Sequence, residues 1–269
     1  MNRTGIEWVV NPDGSRGFTW NPIVGCTKGC EWCYARRFAK RSKCNLCQTF
    51  TPHLHPERLG QPLKRKKPSS IFVCSMGELF DPLVKAQWID EVFTVMALSP
   101  QHSFLLLTKR PERMKEILSD GRFWGRVSAR RLIAVQTARR SAKEVRLVTV
   151  PAMPWPLPNV TLGASVTNQA DADERIPILL QTPAARRFIS VEPMLADIRP
   201  SLFNPHGGIR GIHELDWVIV GALTGPGSRD RQPKPEWVQS VIDQCGAAEV
   251  PVFVKDNVRW PRKIQEFPR

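Results

Sequence analysis

The sequence predicts an α/β fold in which parallel strands alternate with helices, as an α/β barrel or a doubly wound sheet. Three observations carry that reading. Six short runs are continuously apolar instead of alternating, as parallel strands covered by helices are. Helical periodicity fills the segments between runs. Each run also ends in a polar or Gly-containing cluster, and in parallel α/β folds the site lies where strand C-terminal ends converge.

The first run, "SIFVCSM" (70–76), leads into Ser75-Met76-Gly77-Glu78. Trp88, Ile89, Val92, Phe93 and Met96 then recur at helical spacing before "SFLLLT" (103–108), which ends at Thr108-Lys109-Arg110. "VTLGASV" (160–166) runs into Ser165-Val166-Thr167-Asn168, and "RFISVEP" (187–193) carries Glu192. "DWVIVGA" (216–222) opens the turn from Gly221 to Gly225. A second helix is predicted from Trp237, Val238, Val241, Ile242 and Cys245, with Cys245 on its core face. The last run, "VPVFVKD" (250–256), presents Lys255, Asp256 and Asn257, read as a substrate site because strand ends face it.

Residues 122–158 break the rhythm. Eight basic residues, among them Arg130, Arg131, Arg139 and Arg140, stand against the single acid Glu144, a net +7. Pro151, Pro154, Pro156 and Pro158 restrict helix at its exit. The segment reads as a basic insertion between two α/β units, a helical arm for a phosphate backbone or a mobile loop. The four arginines are the expected nucleic-acid contacts.

The whole chain points the same way. Its 269 residues carry 39 Lys and Arg against 25 Asp and Glu, a net +14, which favours a polyanion such as DNA or RNA. No run is long and apolar enough to cross a bilayer, and "MNRTGIEWVV" lacks a secretory apolar region, so a soluble cytoplasmic protein is expected. Seven cysteines, an odd count, argue against a closed disulfide framework.

Three of those cysteines, Cys26, Cys30 and Cys33, crowd into "VGCTKGCEWCYARR" as C-x3-C-x2-C. Clustered thiolates select zinc or iron–sulfur centres. A closed zinc site takes four ligands, and Cys44 with Cys47 offers a nearby C-x2-C, but five thiols exceed one site. Three thiolates on a 4Fe-4S cluster leave one iron open to a cofactor. Cys44 and Cys47 are read as surface thiols lacking the rest of a ligand set, with an auxiliary metal as the alternative. The five histidines show no ligand spacing such as H-x3-H, and none is assigned a metal. Cys74, on an apolar run, is read as a core residue or as a hydrogen-atom donor to a product radical. Tyr34, the only tyrosine, sits beside Cys33.

The cysteine spacing with the aromatic Trp32 before the third thiol is the signature loop of radical S-adenosylmethionine enzymes. The resemblance extends through "IEWVVNPDGSRGFTWNPIVGCTKGCEWCYARR", "HPERLGQPLKRKKPSSIFVCSMGELF", "LLLTKRPERM", "SVTNQADADERIPILL", "FISVEPML" and "WVIVGALTGPG". Over these segments the chain is similar to an uncharacterised, largely phage-associated radical S-adenosylmethionine family. That resemblance implies one domain over 1–269, a partial (β/α)6-type barrel with the basic insertion at about 122–158. It implies a 4Fe-4S cluster on Cys26, Cys30 and Cys33, and an external one-electron reductant. S-adenosylmethionine would be cleaved to methionine and a 5′-deoxyadenosyl radical that takes hydrogen from the substrate.

By the same analogy the turn Met76-Gly77-Glu78 meets the methionine end of the cofactor, with Met76 where the superfamily has glycine. Ser165, Thr167 and Asn168 would hold ribose or carboxylate oxygens, and Glu192 and Gly221 would flank ribose or adenine. With the charge, this makes a nucleic-acid base the expected substrate, for modification or lesion repair, with a partner protein as a possible route of delivery. Two other readings stay open: a nucleotide or peptide substrate, and a non-catalytic, metal-stabilised nucleic-acid-binding protein.

Overall fold

A computed structural model describes residues 1–141, 153–199, 212–225 and 227–268, with backbone alone for 138–141 and 213. Its centre is an eight-stranded sheet. Strand β1 (Asn2–Arg3) pairs antiparallel with β2 (Phe18–Trp20). Two short strands, β3 (Ile23–Val24) and β4 (His53–Leu54), form a separate antiparallel ribbon. The six predicted runs supply β5 (Ser70–Val73), β6 (Ser103–Thr108), β7 (Val160–Ser165), β8 (Arg186–Val191), β9 (Trp217–Val220) and β10 (Val252–Val254). From β2 onward every pairing in the sheet is parallel.

Strand order excludes one of the two architectures left open. It runs β1-β2-β5-β6-β7-β8-β9-β10. A doubly wound sheet reverses direction at a switch point; this one never does. Right-handed crossovers laid down in one direction place all crossover helices on one face. Those helices are α4 (Ala86–Ala97), α5 (Pro111–Ser119), α6 (Gly121–Ser141), α7 (Gln169–Leu180) and α8 (Pro235–Ala247). Three short helices, α1 (Tyr34–Ala39), α2 (Asn45–Gln48) and α3 (Pro56–Leu59), lie between β3 and β5.

The face without crossover helices must bury itself by curving. Phe72, Leu105, Phe188, Trp217, Ile219 and Phe253 project from it into one cluster with Trp8 and Val9. The Trp8 ring lies 4.9 Å from Phe72 on β5 and 6.1 Å from Trp217 on β9. Four flat strand spacings would separate those strands by roughly 19 Å, so the sheet bends around Trp8. Among the described residues the bend stops short of closure: β1 and β10 do not pair with each other. The outer edge of β10 is met instead by the chain at Ile264 to Glu266, where Val254 N–H donates to the Ile264 carbonyl at 2.8 Å.

The helical layer follows the apolar spacing. On α4, Ile89, Val92, Phe93 and Met96 are buried, and on α8 Val238, Val241 and Cys245. The basic segment departs from expectation. Its first part is not an arm apart from the framework but helix α6, packed on α4 through buried Phe123 and Val127. Arg126 donates to buried Asp90 at 2.8 and 3.3 Å, and Arg130 lies 3.9 Å from Glu91. The Pro-rich exit is also built in: Trp155 stacks on Trp124 at 5.2 Å and Leu157 is buried. Residues 142–152 lie outside the described residues.

Contact order gives the direction of α6. Phe123 meets Phe93, Arg126 meets Asp90 and Arg130 approaches Glu91, so α6 runs antiparallel to α4. At about 1.5 Å per residue, α6 passes the start of α4 near residue 130. Its last turns, with Arg139 and Arg140, therefore extend on the side where the strands have their C-terminal ends. No helix of the described residues is long and apolar enough to cross a membrane.

Candidate active site

The cysteine loop lies over the strand C-terminal ends because the chain leaves β2 through β3 and turns at Gly25. Gly25 has φ +99°, and a Cβ there would stand 2.4 Å from the Thr51 carbonyl oxygen, so only glycine fits. Its N–H donates to the Met76 carbonyl at 3.1 Å, and its own carbonyl accepts from Glu78 N–H at 3.0 Å. These bonds extend a parallel bridge between Gly25 and Gly77, so the loop is zipped to the turn after β5.

Further contacts hold the loop across several strands. Thr27 donates to buried Asp81 from its N–H and its hydroxyl, both at 2.8 Å, and Arg110 donates to the Thr27 hydroxyl at 2.9 Å. Lys28 Nζ donates to the Lys109 carbonyl at 3.0 Å, and Tyr34 Oη to the Ser75 carbonyl at 2.6 Å. On α1 the Arg37 guanidinium fills the space beside Gly225, and before α1 Glu31 pairs with Arg231 at 3.2 Å. The loop is thereby tied to the exits of β5, β6 and β9.

The three thiols are free and half-buried. Cys26 Sγ accepts Lys28 N–H and Cys33 Sγ accepts Arg36 N–H, each at 3.4 Å. Such bonds favour thiolates and tune a bound centre. Burial pushes the Cys26 thiol up to about 11, so a bound cation is what would ionise it at neutral pH. Cys26, Cys33 and Met76 rest on an apolar floor of Ala35, Ala39 and Phe50. The Trp32 Nε1–H, on the residue before Cys33, is buried and has no partner. Soft donors, sulfur-directed N–H groups and that orphan fit an iron–sulfur cluster with a polar ligand on its open side.

Glu78 has a different place from the one the analogy suggests. Its side chain is buried and accepts from Thr108 Oγ1 at 2.7 Å, Lys109 N–H at 3.0 Å and Phe80 N–H at 3.1 Å. Burial raises its pKa, and the three donated bonds oppose the rise. The carboxylate is thus spent on joining the exits of β5 and β6. Glu78→Gln puts an amide N–H against a donor at one of these contacts. We expect a loss of about 1–3 kcal/mol, read from urea unfolding; an unchanged midpoint would deny this role.

On β7's exit Thr167 donates to Asp171 from N–H and hydroxyl at 3.0 and 2.6 Å, and Asn168 caps α7 by accepting Asp171 N–H at 2.8 Å. The Ser165 carbonyl accepts from Arg175 at 2.7 Å, and its side chain is buried. Glu192 pairs with Lys255. Both press on Gly221, where a Cβ would meet the Glu192 side chain at 2.9 Å and that of Lys255 at 3.0 Å. Asn257 clamps the β9 exit, donating to the Ala222 carbonyl at 2.9 Å and accepting its N–H at 3.2 Å. Asp256 N–H donates to Glu7 at 2.7 Å. Of the predicted substrate group, Lys255 stands with Glu192, the Asp256 carboxylate accepts from Gln265 Nε2 at 3.2 Å, and Asn257 holds backbone.

Cys74 is enclosed in the core, with φ +55° and a thiol that burial pushes up to about 12. Cys47 is not a surface thiol: it is buried, and His53 and His55 lie beside it. The expectation that the C-x2-C pair lacks partners is corrected: the sulfurs of Cys44 and Cys47 face ring nitrogens of His53 and His55 at 3.3–3.6 Å, although the histidines show no ligand spacing in sequence. Asn21, Thr27 and Asp81, which sequence reading passed over, secure the loop and its turn. Asn21 Oδ1 accepts Met76 N–H at 2.9 Å, a contact across 55 positions that no local pattern signals.

Comparison with known proteins returns one family model, described as a protein of unknown function (DUF5131), which matches residues 3–266. No curated protein matches the chain, and no solved structure does.

Proposed function

The chain belongs to the DUF5131 family, and from that premise we propose that it is a radical S-adenosylmethionine enzyme, built on a partial (β/α)6-type barrel and acting on a nucleic-acid base. The observation that carries this reading is the placement of Cys26, Cys30 and Cys33. They sit on one loop above the C-terminal ends of parallel strands, hydrogen-bonded to the turn Met76-Gly77-Glu78. A 4Fe-4S cluster held by those thiols would supply one electron to S-adenosylmethionine and so initiate radical chemistry. This chain's residues bind, orient and enclose. The N–H groups of Lys28 and Arg36 favour thiolate sulfur, and the buried Trp32 Nε1–H is an uncommitted donor within the same loop. The Glu192–Lys255 pair packs against Gly221 at the strand end, where the missing Cβ makes space for both side chains. The apolar floor covers one side of Cys26 and Cys33.

Two features favour a nucleic acid. The net charge is +14. Helix α6 carries Arg130, Arg131, Arg139 and Arg140 toward the same side of the sheet as the cysteine loop. Phosphate contacts of that kind position a strand without reading its sequence. A non-catalytic, metal-stabilised binding protein is the second reading, favoured by the four donors Cys44, Cys47, His53 and His55.

The deciding experiment incubates anaerobically reconstituted protein with a one-electron reductant, labelled S-adenosylmethionine and DNA or RNA. We expect 5′-deoxyadenosine, a new nucleoside mass, and binding that weakens as salt rises. Iron-loaded protein that forms no 5′-deoxyadenosine would remove the radical reading. Cleavage with neither salt-sensitive binding nor an altered nucleoside would move the substrate to a nucleotide or peptide.

A further inference from the structure

We propose that Cys44, Cys47, His53 and His55 bind a single zinc ion, a structural site that fixes the floor beneath the cysteine loop. The four donor atoms all lie within 4.8 Å of one another. Cys44 Sγ is 3.5 Å from His53 Nε2, and Cys47 Sγ is 3.6 Å from His53 Nε2 and 3.3 Å from His55 Nε2. Tetrahedral zinc with its usual bonds to sulfur and nitrogen sets such pairs about 3.6 Å apart. Three of the four sulfur–nitrogen pairs are already at that spacing.

The imidazoles are oriented for it. His53 Nδ1 faces the Thr51 carbonyl at 2.7 Å, and His55 Nδ1 faces the Glu57 carboxylate at 2.9 Å. A histidine that donates one ring N–H to a carbonyl or carboxylate presents the other nitrogen's lone pair, the arrangement that fixes metal-binding histidines. With both Nδ1 atoms protonated, only the two thiols have hydrogens for the three S···N contacts, and His53 Nε2 faces two sulfurs with one lone pair. Hydrogen bonding alone leaves one contact unsatisfied; a central cation satisfies all of them. Cys47, His53 and His55 are buried and Cys44 is half-buried, so the set is closed, as structural zinc sites are.

The site has a mechanical consequence. His53 lies on β4, paired with β3, which leads directly into Gly25 and Cys26. Between the two halves of the donor set, the Phe50 carbonyl accepts Cys26 N–H at 3.1 Å, and Phe50 forms the floor under Cys26, Cys33 and Met76. Cys47 and Met76 also line one cavity of about 440 Å³. One ion joining residues 44–47 to 53–55 therefore holds Phe50 and Thr51 against the loop. The zinc site uses none of the loop's own thiols, so it stands or falls separately from the radical chemistry.

Metal analysis of the full-length protein, produced with zinc and without iron reconstitution, tests this. We expect about one zinc per chain, kept in the Cys26→Ala, Cys30→Ala, Cys33→Ala triple variant and lost in Cys47→Ser and in His55→Ala. Replacing zinc by cobalt(II) should give the intense ligand-field bands of a tetrahedral site with thiolate ligands. If the single variants fail to fold, the wild-type stoichiometry and cobalt spectrum decide alone. Zinc-free wild-type protein, iron at this site, or zinc lost from the triple variant but kept in Cys47→Ser would overturn the assignment.

Discussion

Cys30→Ala is expected to abolish formation of 5′-deoxyadenosine and to lower the cluster iron from about four per chain. The expectation rests on three half-buried thiols sharing one short loop, with no other cysteine of the described residues placed to substitute. Cys44 and Cys47 face two histidines, and Cys245 is sealed in the inner face of α8. Losing one of three ligands leaves a cluster with too few anchors, whereas the loop itself stays pinned by Thr27 to Asp81 and Tyr34 to the Ser75 carbonyl. Far-UV circular dichroism should therefore be unchanged while activity vanishes. Cys245→Ala is the matching control and should keep both iron and cleavage. Wild-type cleavage by Cys30→Ala would take Cys30 out of the ligand set.

Trp8→Ala destabilises the fold by about 3–5 kcal/mol, the cost of emptying a large aromatic site in a core. Trp8 is 2% exposed and touches Phe72, Phe188 and Trp217, side chains of three strands. Deleting it leaves the concave face lined by apolar groups with nothing between them. A melting-temperature drop on the order of 10 °C follows for a chain of this size, measurable by calorimetry together with guanidinium unfolding. Trp8→Phe should cost much less, because the buried Trp8 Nε1–H has no partner to lose. A change below about 1 kcal/mol for the alanine variant would mean that something other than Trp8 closes this face.

Much of the framework was legible. All six apolar runs became strands of the central sheet, with ends shifted by at most three residues, because strands buried on both faces need continuous apolar character. The helices around Phe93 and Val241 were readable for the same reason, a repeating apolar face. The strand of three residues at Phe18–Trp20 is too short to show a period, yet it starts the parallel series. Helix α6 was read as basic insertion because its charge masks a narrow buried stripe; Asp90, on another helix, offsets Arg126.

By itself, the sequence determined the α/β class, the positions of the strands and the placing of three thiols in one loop, since these follow from composition and spacing over a few residues. Tertiary structure alone decided the unreversed strand order, the curvature around Trp8, the commitment of Glu78 to Thr108 and Lys109, and the meeting of Cys44 and Cys47 with His53 and His55. Each of these depends on which segments come to lie side by side. A local pattern records which face of an element must be buried; it does not record what buries it.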